Sequence, residues 1–155
     1  MRAFFSWLGW AAFCLGVGLF GSLATRSSIP TWYAALAKPS WTPPGGLFGP
    51  VWTLLYLMMG TAAWLVWRKE GPSGARLALG LFLAQLLFNG LWSWIFFGLH
   101  RPGLALLDLA LLWAGILATI RAFRLVSPAA AWLMAPYLAW VSFAGLLNAA
   151  IWRLN

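Results

Sequence analysis

Polar and aromatic side chains recur at helical spacing inside one long apolar stretch of this sequence. Gln85 and Asn89 lie four residues apart. Trp92 and Ser93 follow Asn89 by three and four residues. Residues three or four apart share one face of a helix. The spacing therefore predicts a single stripe that presents amide, indole and hydroxyl groups together.

Two other apolar stretches carry similar stripes. Trp52 and Tyr56 are four residues apart, and Trp140, Ala144 and Asn148 repeat every four residues. If the stripes converge, they enclose an apolar pocket with a few hydrogen-bonding groups, which is the usual makeup of a small-molecule site. The alternative is that the amides hydrogen-bond between helices and only hold the bundle together.

The residues for acid-base, metal or phosphate chemistry are nearly absent. The chain has two acids, Glu70 and Asp108, with one histidine, His100, and one cysteine, Cys14. No Ser/His/Asp set, metal cluster or phosphate loop can be assembled from them. We therefore expect no catalytic constellation, no metal and no required cofactor. Haem held by an axial histidine does not fit, because His100 ends an apolar run. A flat apolar ligand stacked on Trp and Tyr fits better.

Asp108 is the one acid inside an apolar run. It lies about one turn into that run, where it could reach the membrane interface or pair with Arg101. A proton relay is a further alternative, but a lone acid without other titratable groups makes a poor relay. A structural role for Asp108 is the favoured interpretation.

The composition is that of a membrane protein. It is 63% hydrophobic and 8% charged, with a mean hydropathy of +0.85, whereas soluble domains carry about 25% charged residues. The apolar runs are continuous, which excludes alternating barrel strands, and each is long enough to span a bilayer as a helix. We expect one all-α transmembrane domain over residues 1–155, with five spans at about 3–24, 47–67, 77–99, 104–123 and 129–152.

The first span could also be read as a signal peptide, but it is longer than the apolar core of such peptides, so a retained helix is favoured. Residues 26–46 form the one long connection. It combines three large aromatics with three prolines, namely Trp32, Tyr33, Trp41, Pro39, Pro43 and Pro44. Such a segment predicts a preformed apolar lid over a pocket. A cap on the helix ends or an aromatic belt at the interface is the alternative.

The net charge of +8 comes from scattered Lys and Arg residues between the apolar runs. No basic block exists, so no nucleic-acid partner is expected. Charges flanking spans set orientation. One side would carry six cations and the other four, which predicts a cytoplasmic amino terminus and an external first loop. The six are Arg2, Arg68, Lys69, Arg76, Arg121 and Arg124; the four are Arg26, Lys38, Arg101 and Arg153.

Motifs along nearly the whole chain carry a family resemblance. The pattern WYxxLxKPxWxPP stands at 32–44 and PxWxxLY at 50–56, and further matches follow in order. These are Gln85-Leu with Asn89, Phe96-Phe-Gly98, Ala105-Leu-Leu-Asp108, Val126-Ser-Pro128, Pro136-Tyr-Leu-Ala-Trp140, and Leu147-Asn148 with Trp152-Arg153. With these motifs the chain resembles the translocator protein family, also called tryptophan-rich sensory proteins, TspO/MBR or peripheral-type benzodiazepine receptors, in its bacterial form.

The resemblance implies a five-helix homodimer in a bacterial cell membrane, with a pocket beneath the first loop. Family members bind protoporphyrin IX, isoquinoline-carboxamide drugs and, in some cases, cholesterol. Only weak or unspecific sterol binding is expected here, because Ala149 and Ala150 stand where the proposed motif needs a tyrosine. Carried over by match, the ligand-binding residues would be Tyr33, Pro43, Pro44, Trp52, Tyr56, Asn89, Trp92, Ser93, Trp140, Ala144 and Asn148.

The resemblance favours a membrane sensor or regulator that binds a tetrapyrrole or another flat apolar small molecule. Transport of porphyrin or sterol is an alternative, although the sequence shows no inverted repeat. Light-dependent porphyrin degradation is another, with Trp52 and Trp140 as redox partners of the excited macrocycle. Two faces compete for the dimer contact: Gly80, Ala84 and Phe88 on the third span, and the region of Gly16 on the first.

Overall fold

Five long helices make up the protein in a computed structural model that describes residues 1–155, apart from the side chains of Arg2 and Pro72. Arg2, counted above among the flanking cations, thus lies outside the described side chains. All five helices are long and apolar enough to cross a membrane, which confirms the predicted all-α transmembrane bundle. They are α1 (Arg2–Ser28), α2 (Gly45–Gly74), α3 (Arg76–Ser93), α4 (Pro102–Val126) and α5 (Pro128–Leu154).

The helix ends follow local sequence signals. Gly71 has a φ of 69°, in the left-handed region that glycine tolerates, and it breaks the end of α2. Pro102 and Pro128 stand in the first turns of α4 and α5, where a missing N–H costs nothing. Ser127 accepts a hydrogen bond from the Ala130 backbone N–H and caps α5. These short connections bring consecutive helices together, and α2 also packs on α5 while α1 packs on α3.

The first connection is shorter than the predicted loop over 26–46, so that boundary is wrong. Residues 26–35 are helical, because α1 continues through a π-helical turn at Ile29–Tyr33. Pro30 stands in this turn. A proline ring lacks the N–H donor and crowds the carbonyl one turn earlier, and a wider turn accommodates both effects while the helix continues. Trp32 and Tyr33 therefore lie on a helix rather than on a loop.

The non-helical remainder, residues 36–44, is called the proline-rich segment below. Its prolines at 39, 43 and 44 have no backbone N–H to satisfy, which suits a chain beside a membrane. The Thr42 backbone N–H and hydroxyl both donate to the Pro39 carbonyl, at 3.0 and 2.7 Å. The Trp41 ring lies 5.8 Å from that of Phe143 on α5. The segment thus runs along the final turns of α5.

The buried side chains form two clusters. The central core occupies the middle of the bundle and includes Met59, Phe82, Leu112 and Tyr137. A second cluster lies at the end where the proline-rich segment is found. This loop-end cluster consists of buried Phe96, Ala105, Leu147 and Ile151, with half-buried Trp32, Tyr33, Leu36, Phe48, Trp92, Ile95, Phe97 and Phe143 packed against them.

Candidate functional site

Aromatic rings dominate the loop-end cluster. Trp92 stacks on Phe96 with ring centroids 5.3 Å apart, and the Tyr33 and Phe97 rings are 5.5 Å apart. A second π-helical turn, Trp94–Gly98, ends α3 here. The wider turn lets the consecutive Phe96 and Phe97 side chains both reach Trp92 and Tyr33. The two π-helical turns thus meet ring against ring.

Polar contacts fix α1 to the end of α3. The Ser28 hydroxyl donates to the Phe97 carbonyl at 2.6 Å and lies 3.2 Å from Nε2 of His100. The Trp32 ring stacks on the imidazole of His100 at 4.3 Å. His100 itself has a φ of 55°, an uncommon value outside glycine. These contacts hold the π-helical turn of α1 against the aromatic rings.

The proline-rich segment is fastened at its first residues. Lys38 donates from Nζ to the carbonyls of Tyr33 and Leu36, at 2.7 and 2.8 Å, and so caps the end of the first helix. Its ammonium also lies 4.8 Å from the centre of the Tyr33 ring. The Asn155 side chain accepts from the Ala37 N–H and donates to the Ala37 carbonyl, both at 3.0 Å. The segment is thus tied both to the first helix and to the end of α5.

A buried chain of hydrogen bonds crosses from α2 through α3 to α5. Tyr56 donates its hydroxyl to Oδ1 of Asn89 at 2.6 Å, and Nδ2 of Asn89 donates to the Tyr137 hydroxyl at 2.9 Å. That hydroxyl then donates to Oε1 of Gln85 at 3.0 Å. Trp52 stacks on the Tyr56 ring at 5.6 Å, so this predicted aromatic pair borders the chain.

Asn148 is likewise occupied by protein partners. Trp92 donates its indole N–H to Oδ1 of Asn148 at 3.2 Å, and Nδ2 of Asn148 donates to the Pro102 carbonyl at 2.8 Å. Asn89 and Asn148 therefore hydrogen-bond between helices, as the structural alternative for these amides expects. In this arrangement the oxygen and the nitrogen of each amide already have one protein partner.

Trp140 faces a groove between α2 and α5. Its ring packs against Phe48 at 5.8 Å and Phe143 at 5.5 Å. The groove has a volume of about 430 Å³ and is lined by Trp140 and the apolar residues Val51, Leu54, Leu55, Met58, Pro136, Ala139 and Phe143. The Trp140 indole Nε1 is buried without a hydrogen-bond partner among the described groups.

The remaining predicted site residues are dispersed. Ser93 faces α1, because a Cβ built on Gly21 would lie 2.9 Å from its Oγ. Ala144 and Pro43 are half-buried, and Pro44 is exposed at the start of α2. The structure thus brings Tyr33 and Trp92 together in the loop-end cluster, and Trp52, Tyr56 and Asn89 together beside the hydrogen-bond chain. Ser93 and Pro44 belong to neither group.

The chemistry that this arrangement offers is stacking with little polar contact. Among the described residues, no group of three or more His, Cys, Asp or Glu side chains could hold a metal ion. Cys14 is buried in the central core. Asp108 is 6% exposed, and Oδ2 of Asp108 has no hydrogen-bond partner among the described groups. The expected pairing with Arg101 is not made by that oxygen.

The sequence model of the TspO/MBR family matches residues 10–153. The chain belongs to the TspO/MBR family. It is 46% identical over 146 residues to the tryptophan-rich protein TspO of Chlorobaculum tepidum, an alignment that covers 92% of this chain and 90% of that protein. It is 48% identical over 126 residues to the translocator protein of Homo sapiens, covering 80% and 75%. It is 39% identical over 151 residues to the tryptophan-rich sensory protein of Cereibacter sphaeroides, covering 96% and 94%. The chain is thus an integral membrane protein.

Sequence reasoning missed two residues of this TspO/MBR chain that organise the site. Tyr137 joins Asn89 to Gln85, and Phe96 is the ring on which Trp92 stacks. Tyr137 lies three residues before Trp140, so helical spacing could have placed it on the α5 stripe. Phe96 is four residues after Trp92, but the π-helical turn that brings Phe97 in beside it has no clear sequence signal.

Proposed function

We propose that this TspO/MBR chain is a membrane sensor or regulator that binds a tetrapyrrole, such as protoporphyrin IX, or a similar flat apolar molecule. The observation that carries the proposal is the aromatic composition of the loop-end cluster, where Tyr33, Trp92 and Phe96 present ring faces. A flat conjugated ligand gains most from ring stacking and least from hydrogen bonds. The name of the Cereibacter sphaeroides relative, tryptophan-rich sensory protein, supports the regulatory part.

In this proposal the ligand enters beside the proline-rich segment and stacks between aromatic rings. Trp92 is its main contact within the loop-end cluster, and Trp140 contacts it from beside Phe48 and Phe143 of that cluster. Tyr33 and Pro43 border it at the loop end, and Trp52, which packs against the central core, borders it on the inner side. Asn89 and Asn148 position these rings through their hydrogen bonds instead of touching the ligand. For the ligand to fit, the rings of the loop-end cluster must move apart. The proline-rich segment is the non-helical element beside these rings.

We also infer the placement in the cell. The flanking cations support a cell membrane with the amino terminus in the cytoplasm and the proline-rich segment outside. Lys38 and Lys69 are used in capping, with Nζ of Lys69 donating to the Val126 carbonyl at 2.6 Å. Without these two capping lysines, five cations remain on the cytoplasmic side and three on the external side. The direction of the charge bias therefore does not change.

Tryptophan fluorescence quenching by protoporphyrin IX in detergent, in the dark, tests the binding. Wild type should quench saturably, and Trp140→Ala should bind about tenfold more weakly, which corresponds to roughly 1.4 kcal/mol. Trp132→Ala is the matched control, because Trp132 is on the same helix but 77% exposed. Linear quenching that is the same in all three proteins would mean that porphyrin only partitions into the micelle, and would overturn the proposal.

Illumination separates the degradation alternative from binding alone. Trp52→Phe and Trp140→Phe keep an aromatic ring but remove the easily oxidised indole. If the porphyrin absorption band decays under light in wild type and persists in these variants at equal dark affinity, the chain is an enzyme as well as a binder. Decay at the wild-type rate in both variants would assign the tryptophans to packing alone.

A further inference from the structure

Asp108 lies where the loop-end cluster meets the central core. It follows Ala105 by three residues and precedes Leu112 by four, so all three share one face of α4. Ala105 packs in the loop-end cluster, whereas Leu112 packs in the central core. Asp108 is therefore at the boundary of the two clusters. Trp92 packs against both clusters and marks the same level on α3.

The indole and amide groups at this boundary each have a protein partner, unlike the acid. The Trp92 N–H and both amide groups of Asn148 have protein partners. Asp108 is 6% exposed, and its Oδ2 has no partner among the described groups. Burying an unpaired carboxyl group in a membrane costs free energy, and such acids generally belong to functional sites. A ligand that donated a hydrogen bond here would offset that cost.

We propose that Asp108 is a further ligand-binding residue, which accepts a hydrogen bond from an N–H or O–H group of an otherwise apolar ligand. This inference rests on the proposed function, because the ligand is the one bound in the loop-end cluster. It adds a chemical requirement to ring stacking: the ligand carries a donor that faces α4. In a tetrapyrrole the donor is a pyrrole N–H or the O–H of a propionic acid group.

Asp108→Leu tests this inference with a side chain of similar size and no hydrogen-bonding group. Binding of protoporphyrin IX and of its dimethyl ester would be measured by fluorescence quenching, alongside the Tm of the ligand-free protein. The expected result is about tenfold weaker binding together with a raised Tm, since an unpaired buried group has been removed. Asp108→Asn keeps an acceptor oxygen and should bind at intermediate affinity. Thr119→Val is the matched control, because its hydroxyl donates only within α4, to the Gly115 carbonyl.

The two ligands identify the donor. Weaker binding of both by Asp108→Leu assigns a pyrrole N–H, and weaker binding of the acid alone assigns a propionic O–H; either supports the proposal. Unchanged affinity for both in a folded variant overturns it and leaves porphyrin binding intact. If wild type binds neither ligand, the proposed function fails. The Tm then decides the role of Asp108, because a fall in Asp108→Leu would show a structural acid and overturn the inference.

Discussion

Tyr137 is the central residue of the buried hydrogen-bond chain, since its hydroxyl accepts from Asn89 and donates to Gln85. Removing it leaves two polar groups without partners, whereas removing the Tyr56 hydroxyl leaves only Oδ1 of Asn89. An unsatisfied buried group costs about 1–3 kcal/mol. Within a membrane no water is present to hydrogen-bond these groups. The substitution that leaves more groups without a partner should therefore lower the free energy of unfolding more.

We expect Tyr137→Phe to lower the free energy of unfolding about twice as much as Tyr56→Phe, or roughly 2–6 against 1–3 kcal/mol. Thermal unfolding in detergent, followed by circular dichroism, measures both. Tyr33→Phe serves as the control, because the Tyr33 hydroxyl is not part of the chain. Equal losses for Tyr56→Phe and Tyr137→Phe would contradict the double role of the Tyr137 hydroxyl.

Helical spacing predicted which polar residues face the interior, but not what they bind. Gln85 and Asn89 do share one buried stripe on α3. Their partners come from α2 and α5, and a four-residue period carries no information on which helix lies opposite. For the same reason the prediction that Ser93 lies on this stripe did not show that its side chain faces Gly21 on α1.

At the scale of elements, the sequence located all five helices and misjudged the end of the first. The apolar pattern stops near residue 24, so the boundary was set there, but α1 and its π-helical turn continue to Tyr33. Hydrophobicity reports where the chain is apolar rather than where its backbone is helical. Contacts made by the turn, such as Ser28 with the Phe97 carbonyl, stabilise helix beyond the apolar run.

Lys38 links the first helix to the proline-rich segment, so its loss should loosen the segment. In Lys38→Met the carbonyls of Tyr33 and Leu36 lose their donor. We expect protoporphyrin IX to dissociate about threefold to tenfold faster, because capping interactions are worth about 1 kcal/mol. Stopped-flow displacement with excess unlabelled competitor measures the rate.

Lys69→Met is the matched control for Lys38→Met. Lys69 also caps a helix, through the Val126 carbonyl, but at the opposite end of the bundle. It should cost similar thermal stability and leave the dissociation rate unchanged. If both variants release the ligand at the wild-type rate, Lys38 stabilises the helix end without controlling the segment.

At the scale of the whole molecule, α1 and α3 leave small-residue surfaces uncovered. Gly80 and Ala84 lie four residues apart on α3, and both are exposed. A Cβ added to Gly80 would meet no described atom within 4 Å, and the same is true of Gly16 on α1. Small residues at four-residue spacing allow two helices to approach closely. Ala12 and Gly16 on α1 form an exposed pair with the same spacing. The bulky Phe20 follows that pair one turn later and is 51% exposed, whereas Phe88, one turn after Ala84, is half-buried.

We propose that the chain forms a homodimer, and we expect its contact on the α3 surface. Ala84→Trp should separate the backbones of two facing α3 helices and convert dimers to monomers in nanodiscs, with each subunit still folded. Single-molecule photobleaching of labelled protein counts the subunits. Gly16→Trp, which places the same bulk on α1, should leave the dimer intact. A tryptophan on a lipid-facing surface outside the contact packs among acyl chains without disturbing the bundle. The reverse result, monomers only with Gly16→Trp, would therefore place the contact on α1.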